Sequence, residues 1–246
     1  MTTRIEAFRN LGPIGFANEF IRRRLKPTKS YVLRSRYLRH PVWVRPNTSD
    51  LFVFYQIFRH REYRCLDSVK DARLIIDCGA NVGYSAVYFL SRFPHARLVA
   101  IEPDPGNFAA LQRNLVPYGA RVTAVNTAIW SHPTWLSLSA ETSGHGREWG
   151  RTVREASPGE PGAFEATDIA SIFASACAER ISILKIDVEG TERQIFSVPT
   201  PWMSRVDNLV IELHGKDCEA AFFAAIANQS FRVESCDELT VCRRSG

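Results

Sequence analysis

The segment from Arg73 to Ser85 constrains the fold more than any other part of the chain. Arg73-Leu-Ile-Ile-Asp77 is a short apolar run ending in turn-forming residues, the pattern of a buried strand. It leads into Gly79-x-Asn81-x-Gly83, and from Gly83 to Phe93 the apolar spacing is helical until Pro94. A buried strand that enters a helix through a glycine turn is the repeating unit of an open, mostly parallel α/β sheet.

The alternation continues. Arg97 to Glu102 reads as a strand, Asn107 to Leu115 as a helix, and Val122 to Trp130 as a third strand. Trp135 to Ser139 alternates like an additional edge strand. Thr167-Asp168 offers a cap for a helix reaching about Ala178. Ile181 to Asp187 and Asn208 to Leu213 read as strands. Thr191 to Phe196 and Cys218 to Asn228 read as helices. Ser230 to Cys236 and Leu239 to Arg243 suggest a closing antiparallel hairpin. Between these halves, residues 141–166 hold five glycines and two prolines, which predicts a flexible functional loop.

Charge divides the chain. Residues 1–64 carry 14 Lys/Arg against 4 Asp/Glu, whereas the whole chain of 246 residues is only +5. The expected organisation is a basic, helical and aromatic N-terminal extension or cap (residues 1–64), followed by one ligand-binding domain (residues 65–246). Phe8, Leu11, Ile14, Phe16, Phe20 and Ile21 could form an apolar face beside Arg22, Arg23 and Arg24. That face suits a weak peripheral contact with an anionic membrane, although Gly12, Pro13 and Gly15 interrupt it. No motif for nucleic-acid binding accompanies the charge, and no such partner is expected. No apolar run approaches the roughly 20 residues needed to span a bilayer. Met1 to Asn10 lacks the apolar core of a secretory signal, so a cytoplasmic protein is expected. The six cysteines form no CxxC pair and read mainly as buried free thiols.

The glycine turn has a chemistry. Glycines at 79 and 83 let the backbone approach a ligand, and the following helix offers unpaired N–H groups. A dinucleotide site wants G-x-G-x-x-G for a pyrophosphate, and Asn81 departs from that pattern. S-adenosylmethionine has no phosphate. Its ammonium suits an acidic residue such as Asp77, its carboxylate suits glycine N–H groups, and Glu102 can accept both ribose hydroxyls.

These residues resemble a known family. Asp77-Cys-Gly-Ala-Asn-Val-Gly-Tyr-Ser85, Ile101-Glu-Pro-Asp104, Val125-Asn-Thr-Ala128 and Leu184-Lys-Ile-Asp-Val-Glu-Gly-Thr-Glu192 are similar to the FkbM family of methyltransferases. So are Arg45 to Asp50, Phe54 to Phe58 and Glu62-Tyr63. The resemblance covers about residues 42–236 and is most specific in Lys185 to Glu192. It implies the Rossmann-like class I methyltransferase fold, with a seven-stranded, mostly parallel sheet and a C-terminal antiparallel hairpin. It implies methyl transfer from S-adenosylmethionine, most often to a hydroxyl of a sugar, glycan or secondary metabolite. Carried over by position, Asp77, Gly79, Asn81, Gly83, Tyr84 and Ser85 would contact the methionine end. Glu102 would bind ribose, Pro103 and Asp104 would flank the adenosine, and Asn126, Thr127 and Ala128 would line the adenine. Ala128 departs from a conventional acidic residue, so backbone groups could serve there instead.

A hydroxyl acceptor needs alignment and a base. Lys185, Asp187, Glu189, Glu212 and His214 stand at strand ends that face one crevice. His214 is the favoured base because imidazole titrates near neutrality. Asp187 is the alternative base or orienting group, and Lys185 could pair with Asp187 or lower a hydroxyl's pKa. A divalent ion held by Asp187, Glu189, Glu212 and His214 is a further reading of the cluster, but no metal is assigned. Ser49-Asp50 and the aromatic run from Phe52 to Phe58 are expected to cover the cofactor. The loop from Ser143 to Gly162, with His145, Arg147, Trp149 and Arg151, is expected to close over the acceptor. Two other classes compete with this reading: a nucleotide-cofactor oxidoreductase and a non-catalytic binding module of the same fold.

Overall fold

The computed structural model describes residues 4–24, 27–142 and 151–245. Helix α1 (Arg4–Arg24) is kinked at Gly12, where the backbone leaves helical geometry. A small ribbon of β1 (Tyr31–Leu33) and β2 (Val42–Val44) follows. Helix α2 (Asp50–Phe54) runs on into a π-helical turn, Tyr55–Arg59, and then a 3₁₀ turn, Glu62–Leu66.

The central sheet begins with β3 (Leu74–Cys78), helix α3 (Tyr84–Arg92), β4 (Arg97–Ile101), helix α4 (Pro105–Leu115) and β5 (Val122–Val125). A second sheet comes from β6 (Ala128–Ile129), β7 (Thr134–Thr142), β8 (Arg151–Ala156) and β9 (Phe164–Thr167). Helix α5 (Ile169–Ser175), β10 (Ile181–Ile186), helix α6 (Glu192–Phe196), β11 (Val206–Glu212), helix α7 (Lys216–Ile226) and the hairpin β12 (Phe231–Cys236) and β13 (Leu239–Arg244) complete the chain.

The seven-stranded sheet has the order β12-β13-β11-β10-β3-β4-β5. Only β13 runs antiparallel to its neighbours. This is the expected Rossmann-like α/β arrangement, including the closing hairpin. The chain winds one way from β3 and the other way from β10. The crevice between the carboxyl ends of those two strands is therefore a topological switch point, where such sheets bind ligands.

Strand alternation divides the core in two. Ile75, Leu98, Ala100, Ile183 and Val210 face one side, with α3 and the aromatic N-terminal segment. Leu74, Ile76, Val99, Leu184 and Ile211 face the other, with α5 to α7. Leu11, Val44, Phe54 and Phe58 share the first core with Tyr84 and Tyr88. The basic N-terminal residues thus pack as a layer of the same core. Cys78, Cys218, Cys236 and Cys242 are buried free thiols, Cys65 is half-buried, and Cys177 is exposed.

Three expectations change. Val122 to Trp130 is not one strand. The Asn126 amide donates to the carbonyls of Glu102 and Pro103 (2.8 and 3.1 Å), and the chain leaves the sheet there to pair β6 with β9. Trp135 to Ser139 is not an edge, because β7 lies between β9 and β8. Residues 141–166 are not one long loop. Their described part holds the end of β7, all of β8 and most of β9, while His145, Arg147 and Trp149 and the side chain of Arg151 lie outside the described residues.

The tightest backbone approach is at Gly79. Its φ is +78°, and a Cβ there would sit 1.8 Å from the Asp187 carbonyl oxygen. Gly159 has φ +83° with nothing within 4 Å of such a Cβ. Gly79→Ala is expected to lower folding stability by about 3 kcal/mol or more, combining strain with overlap. Gly159→Ala, with backbone strain only, should cost about 1–2 kcal/mol. Urea midpoints compare the two, and equal losses would refute the close-approach reading.

Candidate functional site

Lys185 and Asp77 are register partners across β10 and β3, and strand parity turns both toward α3. Both side chains are buried. The Lys185 ammonium lies 3.3 Å from Asp77 Oδ1 and 3.4 Å from Asp187 Oδ2. It also donates to the carbonyls of Gly79 (2.6 Å) and Cys78 (3.3 Å). Burial alone would strip its proton, but Asp187 and Asp77 outweigh that, and its pKa is raised. Ser85 Oγ donates to Asp77 Oδ2 at 2.6 Å, which ties the first turn of α3 to the same carboxylate. Asp77 and Lys185 thus lie beneath the glycine loop and hold its shape, and Asp77 does not line the cleft.

Above that pair opens a cleft of about 710 Å³. Gly79, Ala80, Asn81, Tyr84 and Ser85 form its floor, and no side chain caps the N-terminus of α3. Phe52, Val53, Gln56 and Ile57 line it from the aromatic run, as the sequence suggested. Asp50 stays outside the lining. Buried and paired with Arg45 at 2.8 Å, it helps fix an arginine that also grips Gly106 and Asn107 of α4. Trp130 and Val153 close the cleft from the second sheet. The Tyr84 hydroxyl is committed to the Trp43 carbonyl at 2.7 Å, so Tyr84 offers the cleft its ring edge.

Glu102 is buried at the end of β4. Its oxygens accept the backbone N–H groups of Asn81 (2.9 Å) and Asp104 (3.0 Å). Burial raises its pKa, and these bonds oppose the shift. A carboxylate has about four acceptor positions, so capacity for further donors remains. Asp104 caps α4 by accepting the Asn107 N–H at 2.7 Å. Thr127 is buried and donates to the Glu165 carbonyl at 2.9 Å. Gly83, Glu102, Pro103, Asp104, Asn126, Thr127 and Ala128 lie beyond the lining of this cleft.

The cleft also has an acidic lining. Asp187, Glu189, Glu212 and His214 converge there, joined by Glu62 and Glu238. The ring nitrogen or carboxylate oxygens of Asp187, Glu212 and His214 lie within 4.8 Å of one another. His214 Nδ1 meets Glu192 Oε1 at 2.9 Å, and its Nε2 lies 3.6 Å from both Glu189 and Glu212. The bond to Glu192 raises the His214 pKa most, burial opposes it, and neighbouring carboxylates bring it to about 9. Burial first, then the Asp187 charge, pushes Glu212 up to about 7. The Glu192 contact and the carboxylates around the ring thus favour the protonated imidazole. Sequence reasoning named Glu62 and Glu192 only as parts of motifs. Glu62 is buried and accepts from the Gln56 amide at 2.5 Å. Its one legible signal was an acidic residue inside an aromatic segment.

Residues 77–233 match the methyltransferase FkbM domain. The chain belongs to the FkbM methyltransferase family. It is similar to "Methyltransferase 1" of Beauveria bassiana, 23% identical over 180 residues, covering 63% of this chain and 72% of that protein. It is 42% identical over 52 residues to the release factor glutamine methyltransferase of Geobacter sulfurreducens, covering 21% of this chain and only 18% of that protein. The O-methyltransferase TomG of Streptomyces achromogenes superposes with a TM-score of 0.42 at 12% identity, covering 71% of this chain and 74% of that one.

As in the rest of the family, the cofactor of this FkbM methyltransferase is S-adenosylmethionine. The residues present fit it. Gly79 allows backbone approach, the uncapped start of α3 offers N–H groups to a carboxylate, and Glu102 retains acceptor capacity. The cleft volume lies within the usual range for small-molecule sites, about 300–1,000 Å³. Asp77 Oδ1 accepts no hydrogen bond among the described residues, so its compensation is the ion pair with Lys185. Lys185→Met in this methyltransferase should therefore cost about 3–5 kcal/mol of stability. Chemical denaturation measures this, and a loss below about 1 kcal/mol, the worth of an exposed pair, would contradict the structural role.

Proposed function

We propose that this methyltransferase transfers the methyl group of S-adenosylmethionine to a hydroxyl of a sugar, glycan or hydroxylated secondary metabolite. The observation that carries this reading is the carboxylate–imidazole cluster of Asp187, Glu212 and His214 in the lining of the cleft. A hydroxyl is a weak nucleophile whose proton must be lost, and a nearby carboxylate with a pKa near neutrality suits that task.

When bound, the cofactor supplies a methyl on positively charged sulfur, with a neutral thioether as leaving group. The protein's part is to hold the acceptor in line and to take its proton. Asp77, Ser85 and Lys185 keep the loop in place. Gly79, Asn81, Ser85 and the start of α3 hold the methionine end, Glu102 the ribose, and the backbone around Asn126 to Ala128 the adenine. The Asp187–Glu212 pair receives the hydroxyl proton. The charged His214 ring, placed between these carboxylates, stabilises negative charge developing on the acceptor oxygen. The walls formed by Phe52, Ile57, Tyr63 and Trp130 give a ring-shaped acceptor apolar faces to pack against.

The test is methyl transfer from labelled cofactor to a panel of glycosides, phenols, carboxylic acids and amines. The expected product is an O-methyl ether, identified by mass spectrometry and NMR. Asp187→Asn should lower kcat about 10²–10⁴-fold, the usual contribution of a proton-transfer group. Its S-adenosylhomocysteine Kd should change less than twofold. Products methylated only on nitrogen or carbon would reject the hydroxyl assignment. Absence of any product, with the cofactor bound, would favour the non-catalytic module.

A further inference from the structure

We propose that Glu192 is a positioning residue that holds His214 as an imidazolium, with its Nε2 edge turned to the acceptor end of the cleft. This role rests on the hydroxyl-methylation reading of the same site.

Glu192 opens α6 and has no exposed surface. Its Oε1 receives the backbone N–H of Gly190 at 3.2 Å and lies 2.9 Å from His214 Nδ1. A carboxylate so placed accepts a hydrogen bond, so Nδ1 carries a proton. That leaves Nε2 as the edge toward the cleft, and two more carboxylates flank it, Glu189 and Glu212, each at 3.6 Å. The charged groups facing the ring come from every element around it. They are Glu192 on α6, Glu189 in the preceding turn, Asp187 at the end of β10, and Glu212 on the ring's own strand. The one ammonium close by, Lys185, is committed to Asp77, Asp187 and the loop carbonyls. Among the described residues, the second ring proton is what answers this concentration of negative charge.

Such a ring cannot take a proton from the acceptor, but it can donate a charge-assisted hydrogen bond to it. The acceptor's proton goes to Asp187 or Glu212, the new C–O bond forms as the C–S bond breaks, and His214 keeps both protons throughout. Glu192 never touches the acceptor. It acts through the tautomer, the charge and the angle of the ring. Burial pushes its own pKa up, but the bond to His214 holds it below the usual carboxylate value.

The test compares wild type, Glu192→Gln and Glu192→Asp by two readouts. The first is the NMR titration of the His214 ring in the full chain, assigned with His214→Gln. Wild type should titrate above pH 8, Glu192→Gln at least one pH unit lower, and Glu192→Asp between them. The second is kcat against pH with the acceptor found above. A charged ring is required at high pH, so Glu192→Gln should move the alkaline limb down by a similar amount and lower the maximum at least tenfold. The S-adenosylhomocysteine Kd should stay within twofold.

A His214 titration unmoved in Glu192→Gln would overturn the proposal, as would a shift of the acid limb alone, which marks a neutral ring acting as base. Selective broadening of the ring signals by micromolar manganese would also overturn it, because the cluster would then hold a cation in place of the proton. If Glu192→Gln does not fold, Glu192→Asp carries the same expectation with a smaller shift. If wild type methylates no hydroxyl, the functional reading fails, while the ring titration still decides the role of Glu192.

Discussion

The arrangement of this site depends on one buried ion pair. Lys185 and Asp77 face each other across the two strands from which the sheet winds in opposite directions. A charge at this depth is costly unless paired and hydrogen-bonded. Lys185 meets that requirement with two carboxylates and two loop carbonyls. Asp77 meets it with Lys185 and Ser85. The same contacts therefore satisfy both charges and fix the glycine loop, so the loop's shape follows from electrostatic compensation below it. Gly79 completes the arrangement, since any side chain there would collide with the Asp187 carbonyl that lies beside the loop.

A second constraint comes from the N-terminal segment. Its basic surface suggested an N-terminal extension or cap, and its apolar residues lie in the same core as α3. Phe54 and Phe58 pack edge-to-face against Tyr84 at ring separations of 6.1 and 6.4 Å, and Arg45 ties the segment to α4. The cleft wall formed by Phe52, Gln56 and Glu62 is thus anchored by packing. A wall of this kind lies outside residues 77–233, where the family match is found.

The acidic end works by the opposite principle. Beneath the loop, one ammonium is shared between two carboxylates. Around His214, carboxylates from three elements crowd one ring, and a proton on that ring relieves them. Burial, and then the Asp187 charge, pushes the Glu212 carboxyl up to about 7.

Much of the fold could be read directly from the residues. Apolar runs of strand length, separated by helical spacing and glycine turns, specify the elements, and the order of those elements specifies the parallel sheet and its closing hairpin. The glycine loop, Glu102 and the Lys185 to Glu192 segment also identify the family, because they are contiguous in sequence. What local pattern could not supply was the direction in which a polar side chain is spent. Asp77 was read as a ligand for the cofactor's cationic end, and its register partner, a lysine more than a hundred residues away, could not be read from its neighbours. His214 was read by the pKa of an isolated imidazole, and its contact with the buried Glu192 carboxylate on α6 came only from the tertiary structure. Val122 to Trp130 looked like one strand until the Asn126 side chain turned it into two. Sequence alone pointed to most of the elements and to the cofactor, since both depend on neighbours along the chain. Tertiary structure decided which charges compensate each other and which face the acceptor, because Coulomb energies depend on distances through space.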